Sequence, residues 1–286
     1  MNELVVAAVQ MRSGVSPEAN IAVMKDLVRD AASRGARYVQ TPEMTGAVQR
    51  DRAGLQRILR PEGDDPVLNA ASTLAGELGI YLHIGSTAID AGGGMAANRA
   101  VVFGPDGSAM VRYDKIHMFD VDLDNGESWR ESAVYRPGEN ARTVDLGGAR
   151  LGLGICYDVR FPHLFRDLAL AGADILTAPA AFTRQTGEAH WHVLQRARAI
   201  ENGAFMISAA QGGVHEDGRE TYGHSLIVNP WGRVIAEAEG DEPGVIVASL
   251  ALDEVKAARA KIPNLKNARS FRIDNDTETA RGAQVA

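Results

Sequence analysis

Short apolar runs alternate with amphipathic stretches along almost the whole chain. This pattern constrains the fold more than any other feature, because it is the signature of an α/β protein. Leu4–Val9 reads as a buried strand. Ser16-Pro17-Glu18 opens a helix with an N-cap serine, proline at the first helical position and an acid in the first turn. That helix is expected to run to Arg34 and stop at Gly35. Tyr38–Thr41 is the next strand, cut by Pro42. Pro66–Leu78 is a second helix ended by Gly79, and Ile80–Ser86 a third strand. A hairpin follows, Ala100–Phe103 and Ala109–Tyr113 around Gly104-Pro105-Asp106-Gly107. A second unit of this kind runs from His224–Val228 through Asn229-Pro230-Trp231-Gly232 to Arg233–Ala236. Between them lie strands Leu151–Cys156, Ile175–Thr177 and Phe205–Ala209, and helices Pro162–Ala171 and Glu188–Glu201. Val245–Leu250 and Asp253–Lys261 add a last strand and helix. Each half thus offers strands, two helices and a hairpin, which a sandwich of two sheets with helices outside would bury. Residues 1–270 are expected to form a single domain. Residues 271–286 are expected to be a tail, mobile or at an oligomer contact.

Net charge is −7 over 286 residues, with 45% hydrophobic and 23% charged residues. That balance excludes a disordered, collagen-like or coiled-coil chain, and the acidity disfavours binding to nucleic acid or anionic membranes. One cysteine, Cys156, excludes an intrachain disulfide and a zinc site of several thiolates. Leu4–Val9 is too short to span a membrane and has no basic segment before it, so the cytoplasm is the expected compartment.

Several motifs fail on inspection. Gly152 and Gly154 imitate a dinucleotide loop, but the third glycine position holds Tyr157, and no phosphate loop ending in Gly-Lys-Ser/Thr exists. Asp120, Asp122, Asp124 and Glu131 imitate a calcium loop, but the glycine position holds Asn125 and Gly126 falls one residue late. His190 and His192 stand two apart on a helix and do not share a face. No Gly-x-Ser-x-Gly elbow occurs. No metal and no organic cofactor is expected.

The chemistry-bearing residues lie at strand ends. Cys156 closes the run Leu151-Gly-Leu-Gly-Ile-Cys just before a helix that Pro162 opens, where the helix dipole would favour a thiolate. The local reading leaves two possibilities, a nucleophile or a buried inert thiol. Glu43 follows the strand Tyr38–Thr41, and Lys115 follows Ala109–Tyr113. Singly, each would read as a solvated surface charge. Ligand sites in open α/β sheets gather at strand carboxyl ends, so a carboxylate, an ammonium and a thiol could converge.

With those residues in place the chain resembles the nitrilase superfamily of carbon–nitrogen hydrolases. Glu43 in Thr-Pro-Glu-Met, Lys115 in Tyr-Asp-Lys-Ile-His-Met-Phe-Asp and Cys156 in Gly-Ile-Cys-Tyr-Asp-Val-Arg-Phe-Pro match its Glu-Lys-Cys triad in order and context. Further matching segments are Arg130-Glu131-Ser132, Phe182-Thr183, Thr186 to Trp191, Arg196 to Asn202, Tyr222 to Ser225 and Asn229 to Gly232, so the likeness runs from Val9 to about Arg269. It implies a four-layer α-β-β-α sandwich, no cofactor, and a homodimer or higher homo-oligomer to which residues after Leu250 contribute. It implies Cys156 as nucleophile, Glu43 as general base, and Lys115 with the Tyr157 N–H as oxyanion donors. Glu131 is implied as a second glutamate near substrate or Lys115.

Within the superfamily, the segments around Ile116–Leu123, Trp129–Ser132 and Ala209–Gly213 with His215 are similar to a branch of two amidases. One acts on deaminated glutathione and the other, ω-amidase, on 2-oxoglutaramate; the first is the closer match. Nitrilase and N-carbamoyl amino acid amidohydrolase activities stay open, as does a catalytically silent binding member of the fold. The glutamine-dependent class is disfavoured, since no synthetase domain is fused. The expected substrate is a small amide carrying carboxylates, with Arg160 pairing with one of them and Phe182 and Thr183 lining the pocket.

Overall fold

The structure, a computed structural model, describes residues 3–123, 126 and 128–273. In chain order the elements are β1 (Glu3–Gln10), α1 (Pro17–Ser33), β2 (Tyr38–Gln40), α2 (Arg52–Ile58), α3 (Pro66–Leu78), β3 (Tyr81–Asp90), β4 (Ala96–Phe103), β5 (Ala109–Asp114), β6 (Asp120–Asp122), β7 (Ser128–Arg130), β8 (Thr143–Asp145) and β9 (Arg150–Gly152). They continue as α4 (Pro162–Leu170), β10 (Ile175–Thr177), α5 (Arg184–Asn202), β11 (Phe205–Ser208), β12 (Gly212–Val214), β13 (Glu220–Tyr222), β14 (Leu226–Val228), β15 (Val234–Glu237), β16 (Gly244–Ala251) and α6 (Asp253–Lys261).

Among the described residues, twelve of the sixteen strands form two sheets, each built around a parallel core. One six-stranded sheet runs β16-β1-β2-β3-β4-β5 and the other β15-β14-β11-β10-β9-β8. In each, three central strands are parallel: β1, β2 and β3 in the first, β9, β10 and β11 in the second. The flanking pairs are antiparallel, and both hairpins foreseen from the turn residues sit at sheet edges. Side-chain alternation along β1 shows how the layers form. Val6 and Ala8 point into a core shared with Leu151, Ile175 and Ile207 of the second sheet. Ala7 and Val9 point the other way, onto Met24, Val28, Leu68 and Leu74 of α1 and α3. The helices α4 and α5 cover the outer face of the second sheet through Leu164, Phe165, Leu168, Trp191 and Ala199. The layers are therefore α-β-β-α. Truncating a fully buried side chain such as Leu82 to alanine costs ~2–5 kcal/mol.

Local signals set the helix boundaries. Ser16 Oγ accepts from the Ala19 N–H, and Asp65 caps α3, whose C-terminal Gly79 takes a left-handed φ of 62°. The seven-residue α2 has too little periodicity to be read from sequence; Asp51 caps it through the N–H groups of Ala53 and Gly54. Helix α5 begins four residues before the expected Glu188, at Arg184. Among the described residues, no helix is long and apolar enough to cross a membrane. The expected tail lies outside the described residues from position 274, and Phe271 and Ile273 before it are exposed.

Candidate active site

The carboxyl ends of β2 and β5 on one sheet face the carboxyl end of β9 on the other, and the chemistry gathers there. Regular pairing of β9 stops at Gly152, so the strand expected over Leu151–Cys156 is shorter. Alternate N–H groups still reach the neighbouring chain, Gly154 to Thr177 O at 3.1 Å and Cys156 to Pro179 O at 2.9 Å. Cys156 then opens a single 3₁₀ turn, Cys156–Arg160, with φ at 48°. A non-glycine residue in that region is held there by its surroundings. The holding group is Asp158. Its carboxylate is buried and accepts from Ile155 N–H at 2.9 Å, Tyr113 Oη at 2.6 Å and His117 N–H at 3.1 Å. One side chain thus ties the cysteine turn to the segment that carries Lys115.

Lys115 is 2% exposed and donates to Glu43 Oε1 at 3.0 Å and to Glu131 Oε1 and Oε2 at 3.0 and 2.9 Å. Asn98, in the middle of β4, donates from one amide nitrogen to Glu43 at 2.9 Å and Glu131 at 3.2 Å. Backbone completes both carboxylates: Ala181 N–H donates to Glu43 Oε2 at 2.8 Å and Phe119 N–H to Glu131 Oε2 at 2.6 Å. Burial would raise the Glu43 carboxyl, but Lys115 and its other donors hold it below the usual range. Burial would likewise depress Lys115, but Glu131 and Glu43 hold its ammonium well above the ordinary value. Both therefore stay charged.

Cys156 behaves in the opposite way to the expectation from the helix dipole. Burial, then the adjacent Glu43 charge, push its thiol well above the ordinary cysteine value, against a smaller opposing pull from Lys115. The resting pair is a neutral thiol beside a carboxylate that can take its proton. The Cys156 N–H is spent on Pro179. The Tyr157 N–H has no acceptor among the described residues.

These groups form the floor of a cavity of about 300 Å³, which Tyr157, Phe182, Thr183, Thr186, Met44, Phe119 and Tyr135 also line. Its outer rim carries Arg50, Trp129, Arg130 and Arg219. The residues foreseen from sequence, Glu43, Lys115, Glu131, Cys156, Tyr157, Phe182 and Thr183, all line this one cavity. Arg160 does not. Its guanidinium packs over the Phe182 and Tyr157 rings at 5.4 and 5.9 Å and approaches His190 Nδ1 at 3.3 Å. It backs the aromatic wall rather than facing the cavity. Asn98, Asp158 and Arg219 were not foreseen. The signal for Asn98 was a polar residue inside the apolar run of β4.

Gly85 lets the two sheets meet at this point. A Cβ there would stand 2.1 Å from Thr41 O and 2.6 Å from Pro179 Cβ, so only glycine fits between the segment leading to Glu43 and the one leading to Ala181.

The described residues hold one trio that could ligate a metal, His192, His224 and Glu237, outside the cavity lining. Glu237 Oε1 bonds both rings, at 2.7 Å to His192 Nε2 and 3.0 Å to His224 Nδ1. In the acidic segment that imitates a calcium loop, Asp120 bonds Ser132 and Asp122 bonds Arg130. Asp124 and Asn125 of that segment lie outside the described residues.

Residues 5–260 match the family model described as carbon-nitrogen hydrolase. The chain belongs to the carbon–nitrogen hydrolases. This hydrolase is 37% identical over 273 residues to the deaminated glutathione amidase of Synechocystis sp., covering 93% of this chain and 98% of that one. It is 33% identical over 270 residues to human omega-amidase NIT2, covering 94% and 96%. Among solved structures it superposes on the C. elegans NitFhit protein with a TM-score of 0.85 at 31% identity. That match covers 93% of this chain but only 65% of NitFhit. A Glu-to-Gln variant of an amidase from Nesterenkonia sp. AN1 superposes with a TM-score of 0.76 at 27% identity, covering 91% of this chain and 98% of that one. In that structure acrylamide has added to the active-site cysteine. The nitrilase-superfamily sandwich expected from the motifs is the fold of this hydrolase, and the chain is an enzyme of the amidase type.

Proposed function

We propose that this hydrolase cleaves a carboxylate-bearing linear amide with an amine leaving group, of the deaminated glutathione type, through a thioester on Cys156. The observation that carries this reading is the buried Glu43–Lys115–Glu131 cluster set against Cys156 at the floor of one cavity.

In this mechanism Glu43 takes the Cys156 proton as sulfur attacks the amide carbonyl, because the neutral thiol is a poor nucleophile. The oxyanion forms against the Lys115 ammonium and the Tyr157 N–H, donors fixed before the reaction. Glu43 passes the proton to the leaving nitrogen, the C–N bond breaks and the amine departs, leaving the acyl group on sulfur. Water then gives a proton to Glu43 and attacks the thioester. Collapse of that intermediate releases the acid and returns the proton to Cys156. Glu131 anchors Lys115 by two hydrogen bonds and so keeps the ammonium directed at the reacting oxygen.

The relative named for deaminated glutathione supports a substrate with a carboxylate, as do the arginines at the rim. The room above Cys156 favours the larger leaving group. The test is product release by wild type and Cys156→Ala from deaminated glutathione, 2-oxoglutaramate, an N-carbamoyl amino acid and a simple nitrile. Cysteinylglycine release from the first should exceed ammonia release from the others and should vanish in the variant. Faster turnover of 2-oxoglutaramate would replace the leaving group assigned here, and activity retained without the thiol would remove the mechanism.

A further inference from the structure

The rim holds a cation whose hydrogen-bonding capacity is unmet. Arg219 lines the cavity with its side chain 16% exposed, and its Nε is buried without a hydrogen-bond partner. Its nearest carboxylate, Asp217, stands 4.0 Å from Nη2, beyond hydrogen bonding. Burying an unpaired donor of a charged group is costly, so such a group is one a ligand can complete. The guanidinium lies over the Trp129 ring at 4.4 Å, and Arg50 approaches the same ring at 5.3 Å. Among the described residues Arg50 has no carboxylate within ion-pairing distance. Two cations thus flank one indole at the mouth of the cavity.

The backbone beneath Arg219 is fixed. It directly precedes β13 in the β12–β13 hairpin, where its carbonyl accepts from His215 N–H at 2.8 Å and its N–H donates to Asp217 Oδ1 at 3.0 Å. His215 is buried and bonds Ser13 O at 2.9 Å and Thr221 Oγ1 at 2.7 Å. The backbone that carries the fork is set before any ligand arrives, which reduces the cost of binding.

The charge distribution dictates which ligand atoms go where. The floor carries two carboxylates against one ammonium, so a substrate carboxylate is repelled from it and drawn to the rim. The leaving nitrogen must face Glu43 to receive its proton. Met44, Gln49 and Arg50, which follow Glu43 in the chain, line the same cavity. A group borne on that nitrogen is carried along these residues toward Trp129 and Arg219.

We infer that Arg219, with Arg50 beside it on Trp129, binds the terminal carboxylate of a peptide-like leaving amine. The subsite rests on the amide reading above and adds the part of the substrate that sets specificity. A planar guanidinium matches a carboxylate with two parallel hydrogen bonds, which a lysine cannot reproduce.

The experiment compares two substrates in one preparation: deaminated glutathione and its analogue with a C-terminal carboxamide. The quantity read is the ratio of their kcat/KM values, which cancels any inactive fraction. Wild type should favour the carboxylate by about 10- to 100-fold. Arg219→Gln should bring the ratio close to one, and Arg219→Lys should fall between. A wild-type ratio near one, or a ratio that survives Arg219→Gln, overturns the subsite while leaving the amide reading intact. Ammonia release from 2-oxoglutaramate with neither dipeptide substrate cleaved overturns both. If Arg219→Gln fails to fold, inhibition of the wild type decides. Cysteinylglycine should inhibit more strongly than its amide, and equal inhibition removes the subsite.

Discussion

The floor and the rim of one cavity are built on opposite plans. At the floor every carboxylate oxygen of Glu43 and Glu131 has a donor, and the Lys115 ammonium has three acceptor contacts. At the rim Arg219 leaves a donor unfilled and Arg50 rests on an indole. A floor whose charged groups all have internal partners holds reacting groups in place whatever the substrate. A rim short of partners has something to offer a ligand. The difference separates the chemistry, which the fold supplies complete, from recognition, which the substrate completes.

That contrast is broken most severely from the floor. Lys115→Met leaves two carboxylates buried without their counter-charge. It should cost about 3–5 kcal/mol of stability, read from urea unfolding. It should also lower turnover by ~10²–10³-fold in the fraction that stays folded. Full stability in this variant would mean that the cluster is hydrated and not the closed network described.

A buried ionisable group without such partners behaves differently. His83 in β3 is fully buried, with Nδ1 2.7 Å from Tyr38 Oη and Nε2 unpartnered, and burial pushes its pKa down to about 3. The folded state therefore keeps it neutral, while the unfolded chain takes up a proton below about pH 6.5. Its contribution is fully present above pH 6.5 and is lost as pH falls toward 3. It should remove about 2 kcal/mol between pH 7.5 and pH 5. His83→Leu should flatten this part of the stability profile, and an unchanged slope would place the acid sensitivity elsewhere.

The smallest effect belongs to the rim. Arg50→Gln should change stability by no more than about 0.5 kcal/mol in the same unfolding measurement, because only an exposed contact with the Trp129 ring is lost. A loss as large as that of Lys115→Met would show that the rim, too, is part of the scaffold.

The floor was legible in the sequence because its residues follow strands with distinctive neighbours. Thr-Pro-Glu, Tyr-Asp-Lys and Gly-Ile-Cys-Tyr-Asp each mark a strand end, and all three ends converge. Asn98 was not legible, since its role depends on the register of β4 against β3 and β5, which periodicity does not determine. Arg219 was hidden for another reason: it sits on a hairpin of two three-residue strands, too short for alternation to register. Arg160 shows the converse. Its place just after the cysteine suggested contact with substrate, but its guanidinium packs on the Phe182 and Tyr157 rings and does not line the cavity. The expectation for the thiol is reversed too, because burial and Glu43 outweigh a distant helix terminus.

Gly85 makes the distance between the two sheets a catalytic parameter. Glu43 and Lys115 hang from one layer and Cys156 from the other, and no single element carries both the carboxylate and the thiol. Whatever spreads the layers, such as an extra methyl group in the shared core or thermal expansion, lengthens the proton's path before any strand is lost. Activity in this enzyme is therefore a strain gauge for its own interior, and it should fade on heating while the fold still stands.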